Sequence, residues 1–186
     1  MIKIGITGSI SSGKSTVAKM IAKKKYPLFN ADTEVAKLYR NKKFKIKIRK
    51  KLNIDSDKKI KDAIKKVVNK NKDIIKDIEY LVHPEIRKRM DSFMKRRSKI
   101  LVFEIPLLIE NKLMSYFDVL LFVNARKEIR LKRYLKKGGD KKTFSILDNR
   151  QLKASKKIKF CNKVINNNKS LVVLKKEMKD IINKYE

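Results

Sequence analysis

Eight consecutive residues near the amino end, Gly8-Ser9-Ile10-Ser11-Ser12-Gly13-Lys14-Ser15, satisfy the pattern G-x-x-x-x-G-K-[ST]. Such a loop can curl until successive backbone N–H groups point inward, which is the chemistry of holding a polyphosphate nucleotide. Gly8 and Gly13 lack the Cβ that would block both the required backbone angles and the approach of phosphate oxygens. Lys14 can reach the β- and γ-phosphates and Ser15 can offer its hydroxyl to Mg2+. A helix starting there turns its positive dipole end toward the same anion. Two carboxylates could act on the bound phosphate. Asp32 follows an apolar segment that reads as the second strand, where it can take a proton from an attacking hydroxyl or hold that hydroxyl in line. The plainer reading of Asp32 is an N-cap for a helix beginning Thr33-Glu34. Glu104 ends the run Leu101-Val102-Phe103, where a carboxylate assists Mg2+ directly or through water, or else caps the strand or pairs with a lysine.

Positioning these groups takes strands that end beside the loop. Ile2–Thr7, Leu28–Ala31, Ile100–Ile105, Val119–Asn124 and Lys163–Asn166 read as short apolar strands, separated by segments long enough for helical crossovers. That alternation implies an α/β fold with a parallel sheet of about five strands covered by helices on both faces. The chain, 186 residues long and 42% hydrophobic, is read as one domain spanning 1–186. From about Thr33 to Ser98 the period is helical, with Ile60, Ile64 and Val67, then Ile74, Ile78 and Leu81, then Ile86, Met90 and Phe93 on successive faces. Residues 33–98 are therefore expected to be a helical subdomain inserted between strands two and three. Residues 134–160 hold Gly138-Gly139, the one glycine pair among five glycines, and read either as a mobile lid or, at the pair itself, as a helix C-cap and turn. The dipeptide His83-Pro84 reads by itself as a helix boundary.

Taken together the motifs resemble those of the dephospho-coenzyme A kinase family. The loop GSISSGKST is similar to its GxIxSGKS/T, Asn30-Ala31-Asp32 to its D-A-D, and His83-Pro84-Glu85-Ile86-Arg87 to its HPxIR. Glu104-Ile105-Pro106-Leu107-Leu108-Ile109-Glu110 resembles DxPLLFE, and Gln151 with Val164-Ile165-Asn166-Asn167 resembles the Q…VIDN ending. The motifs fall in family order over essentially the whole chain. The resemblance implies a P-loop NTPase-type fold and transfer of the ATP γ-phosphate to the ribose 3′-hydroxyl of dephospho-coenzyme A, with Mg2+. It implies Ser11, Ser12, Gly13, Lys14, Ser15 and Thr16 with Gly8 and Arg133 as the ATP-binding set. It further implies Asp32 as base, His83, Arg87 and Glu104 toward the acceptor, the insertion as the coenzyme A subdomain, and the region from Arg133 to Gln151 as the lid. Three positions depart from the family pattern. Asn30 replaces an aspartate and loses a charge, Lys137 replaces an arginine, and Asn168-Lys169 follows the terminal motif where glycine is usual. Lysine keeps the charge of arginine but not its flat five-donor fork.

The balance of 51 Lys+Arg against 19 Asp+Glu gives a net charge of +32, which on its own suggests nucleic acid. Only ten of the 51 are arginine, and the lysines are spread over nearly every segment, so solvated surface and a general attraction of anionic substrates are expected rather than dedicated nucleic-acid binding. No apolar run approaches the roughly 18 residues of a membrane span, and the amino end enters a strand at once, which reads as a cytoplasmic protein without a signal peptide. A monomer is the expected state. The alternatives are another small-molecule or nucleotide kinase built on the same loop, and a basic ATP-binding protein associated with nucleic acid. The loop lacks the proline-bearing GxPGxGK form of adenylate-type kinases, and no N-K-x-D is present to read guanine.

Overall fold

The computed structural model describes residues 1–23, 25–54, 60, 64 and 74–185; Val67, part of the helical period above, lies outside them. The chain divides into two compact units, one formed by Met1–Asn30 with Arg97–Glu186 and the other by Ala31–Arg96.

In the first unit, among the described residues, five strands make one sheet: β1 (Ile2–Gly8), β2 (Leu28–Asn30), β3 (Ile100–Glu104), β4 (Val119–Asn124) and β5 (Lys163–Asn166). Their order is β2-β3-β1-β4-β5 and every pairing is parallel. The strands follow the apolar runs of the sequence because both faces are covered, so burial rather than alternation selects them. Two ends are shorter than the apolar runs suggest, since Ala31 already starts the next helix and Ile105 leaves the sheet. One face packs Ile4, Ile6, Val102, Leu121 and Val123 against Val17 and Ile21 of α1 (Lys14–Ala22) and against Leu174, Met178 and Ile181 of a carboxy-terminal helix (Leu171–Tyr185). Because β1 has β3 on one side and β4 on the other, chain order reverses there, and the crevice at the carboxyl ends of these strands is where parallel sheets bind ligands.

The second unit contains α2 (Ala31–Leu38), α3 (Lys42–Leu52) and α4 (Ile74–Met94). Leu38, Phe44, Ile48, Leu52, Leu81 and Val82 form its core. Glu34 joins α2 to α4 through Arg89 at 3.0 Å and also pairs with Lys37 at 2.6 Å. Burial pushes the Glu34 carboxyl up, but the hydrogen bonds and charges of Lys37 and Arg89 outweigh it and leave its pKa lowered. The stabilisation is therefore present above the unfolded carboxyl pKa and is lost as pH falls through the lower folded value.

Two local readings are corrected. The dipeptide His83-Pro84 does not bound a helix, because Pro84 lies inside α4, with Leu81 and Val82 buried before it and Met90 after it. Proline removes one helical hydrogen bond there. The buried apolar stripe running past it holds the helix together, and Pro84 itself is exposed. Asp32 is not an N-cap either, since α2 starts at Ala31 and Asp32 is its second residue.

The remaining helices of the first unit are α5 (Lys127–Lys136), α6 (Lys141–Asn149) and α7 (Ala154–Ile158), followed by α8, the helix Leu171–Tyr185. Between α5 and α6 the glycine pair is a helix C-cap. Gly138 N donates to Leu135 O at 2.9 Å and Gly139 N to Tyr134 O at 3.2 Å, the two bonds of a Schellman motif. Gly138 has φ +82, a value costly for any residue with a Cβ. Asp140 then caps α6 by accepting from Thr143 N at 2.8 Å. Phe144 of α6 is buried, its ring 5.6 Å from that of Tyr134.

Lys157 of α7 is 0% exposed, pairs with Glu110 at 2.6 Å and donates to Pro106 O at 3.3 Å. Glu110 Oε1 also accepts from Leu152 N at 3.0 Å. This buried pair nails the chain after α6 to the segment leaving β3. Removing one partner strands the other charge, so Glu110→Leu is expected to destabilise the protein by about 3–5 kcal/mol, whereas Glu110→Leu with Lys157→Met restores most of that loss. Urea unfolding of the two variants checks it, and equal losses in both would disprove the buried-pair account. Cys161 is half-buried and its thiol is pushed up to about 11 by burial, with the Lys157 charge pulling weakly the other way. Such a thiol is a poor nucleophile at neutral pH.

Candidate active site

The loop between β1 and α1 is shaped from outside by its neighbours. Asn167, 5% exposed at the end of β5, donates Nδ2 to Ser12 O at 2.8 Å, and Arg133 of α5 donates to the same carbonyl at 3.2 Å and to Asn167 O at 3.0 Å. In a planar trans peptide, C=O and N–H point opposite ways. Holding Ser12 O toward Asn167 and Arg133 therefore turns Gly13 N–H away from them. Lys14 and Ser15 follow as the first two residues of α1, whose N–H groups have no acceptor within the helix. Within the loop itself the Ser12 N–H is already taken, donating to Ser9 O at 3.2 Å.

Gly13 has φ +102, and a Cβ there would lie 2.1 Å from Asn167 Nδ2. Gly13→Ala would combine backbone strain with loss of the Asn167–Ser12 bond. We expect it to lower unfolding stability by about 1–3 kcal/mol. Thermal and urea unfolding of the variant test this, and a stability equal to that of the parent would show that the loop relaxes around the methyl group.

Lys14 is 8% exposed and its ammonium donates to Gly8 O at 3.1 Å and Ser9 O at 2.9 Å, so its charge lies over the loop rather than in solvent. Beside it Ser15, exposed, donates its hydroxyl to Glu104 Oε1 at 2.5 Å, and Asn30 donates its amide to Glu104 Oε2. Glu104 is 3% exposed, and its carboxylate accepts from these two neutral donors. Buried charges are ordinarily paired or bound to metal. A carboxylate and a hydroxyl are hard oxygen ligands of the kind that Mg2+ takes.

The first unit thus brings Gly8, Ser11, Ser12, Gly13, Lys14, Ser15, Thr16, Glu104 and Arg133 to one end of its sheet. Asp32, His83 and Arg87 belong to the second unit. Asp32 is exposed in the first turn of α2, while His83 and Arg87 are exposed on α4, four residues apart and so on one face. Sequence reasoning left out Arg130, whose guanidinium pairs with Asp148 at 2.6 Å and reaches Ile10 O at 3.4 Å. Its signal was available: Arg130 stands three residues before Arg133 on the same helix and therefore shares its face.

A parallel sheet in this order, with a lysine-bearing phosphate loop after its central strand and a buried carboxylate at the neighbouring strand end, defines the P-loop kinase class. A family model described as dephospho-CoA kinase matches residues 2–172. The dephospho-CoA kinase of Fusobacterium nucleatum is 30% identical, the match covering 94% of this chain and 94% of that one. The crystal structure of TT1252 from Thermus thermophilus superposes with a TM-score of 0.82 at 28% identity, covering 98% of this chain and 97% of that one. In fold the chain is also similar to the dephospho-CoA kinase of Campylobacter jejuni, with a TM-score of 0.67 at 22% identity over 99% and 97% of the two chains. The protein belongs to the dephospho-CoA kinase family.

Proposed function

We propose that the protein transfers the γ-phosphoryl group of ATP to the ribose 3′-hydroxyl of dephospho-coenzyme A, yielding coenzyme A and ADP. The observation that carries this reading is the Lys14 ammonium held over the loop by Gly8 O and Ser9 O, in a chain that the dephospho-CoA kinase family model matches over residues 2–172. The 3′-oxygen forms the new bond to the γ-phosphorus as the bond from that phosphorus to the bridging oxygen of ADP breaks. The hydroxyl proton passes to the Asp32 carboxylate, which serves as base or holds the hydroxyl in line. Lys14 and the loop N–H groups bear the charge that builds on the transferring oxygens. Ser15 and Glu104 would hold Mg2+, which would supply charge neutralisation to the nucleotide phosphates. Asn30, standing where the family has aspartate, holds the Glu104 carboxylate without adding a second negative charge.

His83 and Arg87, on one face of α4, are assigned to the acceptor, with Arg87 suited to its diphosphate through paired N–H donors. Residues 33–98 are assigned to binding the coenzyme A moiety and 134–160 to a lid that excludes water. Among the described residues no helix is long and apolar enough to cross a membrane. The test is Mg2+-dependent transfer of labelled γ-phosphate to dephospho-coenzyme A, set against adenosine, nucleoside monophosphates and pantothenate. Strong preference for dephospho-coenzyme A is the expected result; equal use of the other acceptors would reject the assignment.

A further inference from the structure

Gln151 belongs to a motif that the proposed chemistry leaves without a task. It lies just beyond α6, and its Oε1 accepts from Ile10 N at 3.1 Å across 141 residues of sequence. The carbonyl on the other side of that same peptide unit is Ser9 O, and Ser9 O accepts from the Lys14 ammonium at 2.9 Å. One planar peptide is therefore held at both ends, by Gln151 on its N–H and by the Lys14 ammonium together with Ser12 N–H (3.2 Å) on its C=O, which must point opposite ways. The next peptide is held too. Ile10 O accepts from Arg130 at 3.4 Å, and Arg130 is fixed by Asp148 at 2.6 Å and by Ala125 O at 3.1 Å. Fixing Ile10 O toward α5 turns the Ser11 N–H away from Arg130.

We infer that Gln151 is a positioning residue for the phosphate loop: by capping Ile10 N–H it aims Ser9 O at the Lys14 ammonium and so sets where that charge stands over the γ-phosphate. This inference rests on the kinase reading and deepens it. It also narrows what can move as a lid. Asp148 and Gln151 are tied to the loop through Ile10, Leu152 is tied to Glu110, and Lys157 is tied to Glu110 and Pro106. The far end of the 134–160 segment is thus a support for the loop.

The contact is a neutral acceptor on a backbone N–H, so shape and hydrogen bonding can be separated. Gln151→Met keeps the length without the acceptor; Gln151→Glu keeps both length and acceptor. In the nucleotide-free protein, the Ile10 amide of Gln151→Met is expected to exchange with deuterium about five-fold faster or more, and that of Gln151→Glu at the parent rate or slower. With turnover assayed, Gln151→Met is expected to raise the KM for ATP about five-fold while leaving the KM for dephospho-coenzyme A unchanged, and Gln151→Glu to recover most of that loss. Asp148→Asn, which loosens the same crest from its carbonyl side, is expected to accelerate Ile10 exchange as well. Parent-like Ile10 exchange in Gln151→Met, or equal rises in both KM values, would overturn the inference. An inactive parent enzyme would overturn the kinase reading instead, and the exchange measurement would still decide the Gln151 contact.

Discussion

Lys14→Ala is expected to lower kcat at saturating ATP by about 10²–10³-fold, the scale seen when one preorganised donor to a developing oxyanion is removed. The magnitude follows from where the ammonium stands. Held by Gly8 O and Ser9 O and almost shielded from solvent, it meets the γ-phosphate without reorganising and in a medium that screens it poorly. The backbone N–H groups of the loop survive the substitution, so ATP still binds, though less tightly. Lys14→Arg is not expected to rescue the rate, because two carbonyls on one loop accept a compact ammonium and not a planar fork. Steady-state kinetics with ATP varied at fixed dephospho-coenzyme A provide the check. A variant with unchanged kcat and a raised KM would mean that Lys14 binds ground state and transition state alike.

Much of this architecture is legible before any coordinates are seen, for a physical reason. Strands buried on both faces appear as unbroken apolar runs such as Ile100-Leu101-Val102-Phe103, and a phosphate loop needs glycines at fixed offsets that chance seldom supplies. Helix boundaries are less legible, because they depend on competition between local preference and tertiary burial. Pro84 is a strong local signal, yet α4 continues through it since Leu81, Val82 and Met90 are all buried on the same helix. The glycine pair shows the converse case, where the local signal prevails and Gly138 closes α5. Contacts that shape the loop from outside are the least legible. The Ile10–Gln151 and Ser12–Asn167 bonds join residues 141 and 155 positions apart, and no periodicity in a single sequence encodes which side chain reaches which peptide. Glu104 stands between these extremes. Its place at a strand end is readable, but its pairing with Asn30 and Ser15 emerges only from the register that sets Asn30 opposite Glu104 and from the close return of α1.

Asp32→Asn is expected to keep ATP affinity and to lower turnover by about 10²-fold or more, the usual contribution of a placed acid or base. Two roles compete for this side chain and they differ in what they predict. As the second residue of α2, a carboxylate favours the positive end of the helix dipole, worth about 0.3–1 kcal/mol of stability when exposed, and asparagine forfeits only that. As base, the same carboxylate must accept the proton of the attacking 3′-hydroxyl, which the isosteric amide cannot do, and 10²-fold in rate corresponds to about 2.7 kcal/mol in the barrier. Measuring both quantities on one variant separates them. A small fall in unfolding stability with a large fall in single-turnover rate, at unchanged nucleotide affinity, assigns Asp32 to the chemistry. A small fall in stability with an unchanged rate leaves it a helix-terminus charge and moves the search for the base to another carboxylate. Weakened ATP binding would instead place it with the nucleotide. The first outcome is the expected one, because Asp32 follows β2 in the chain by two residues and matches the second aspartate of the family's D-A-D motif.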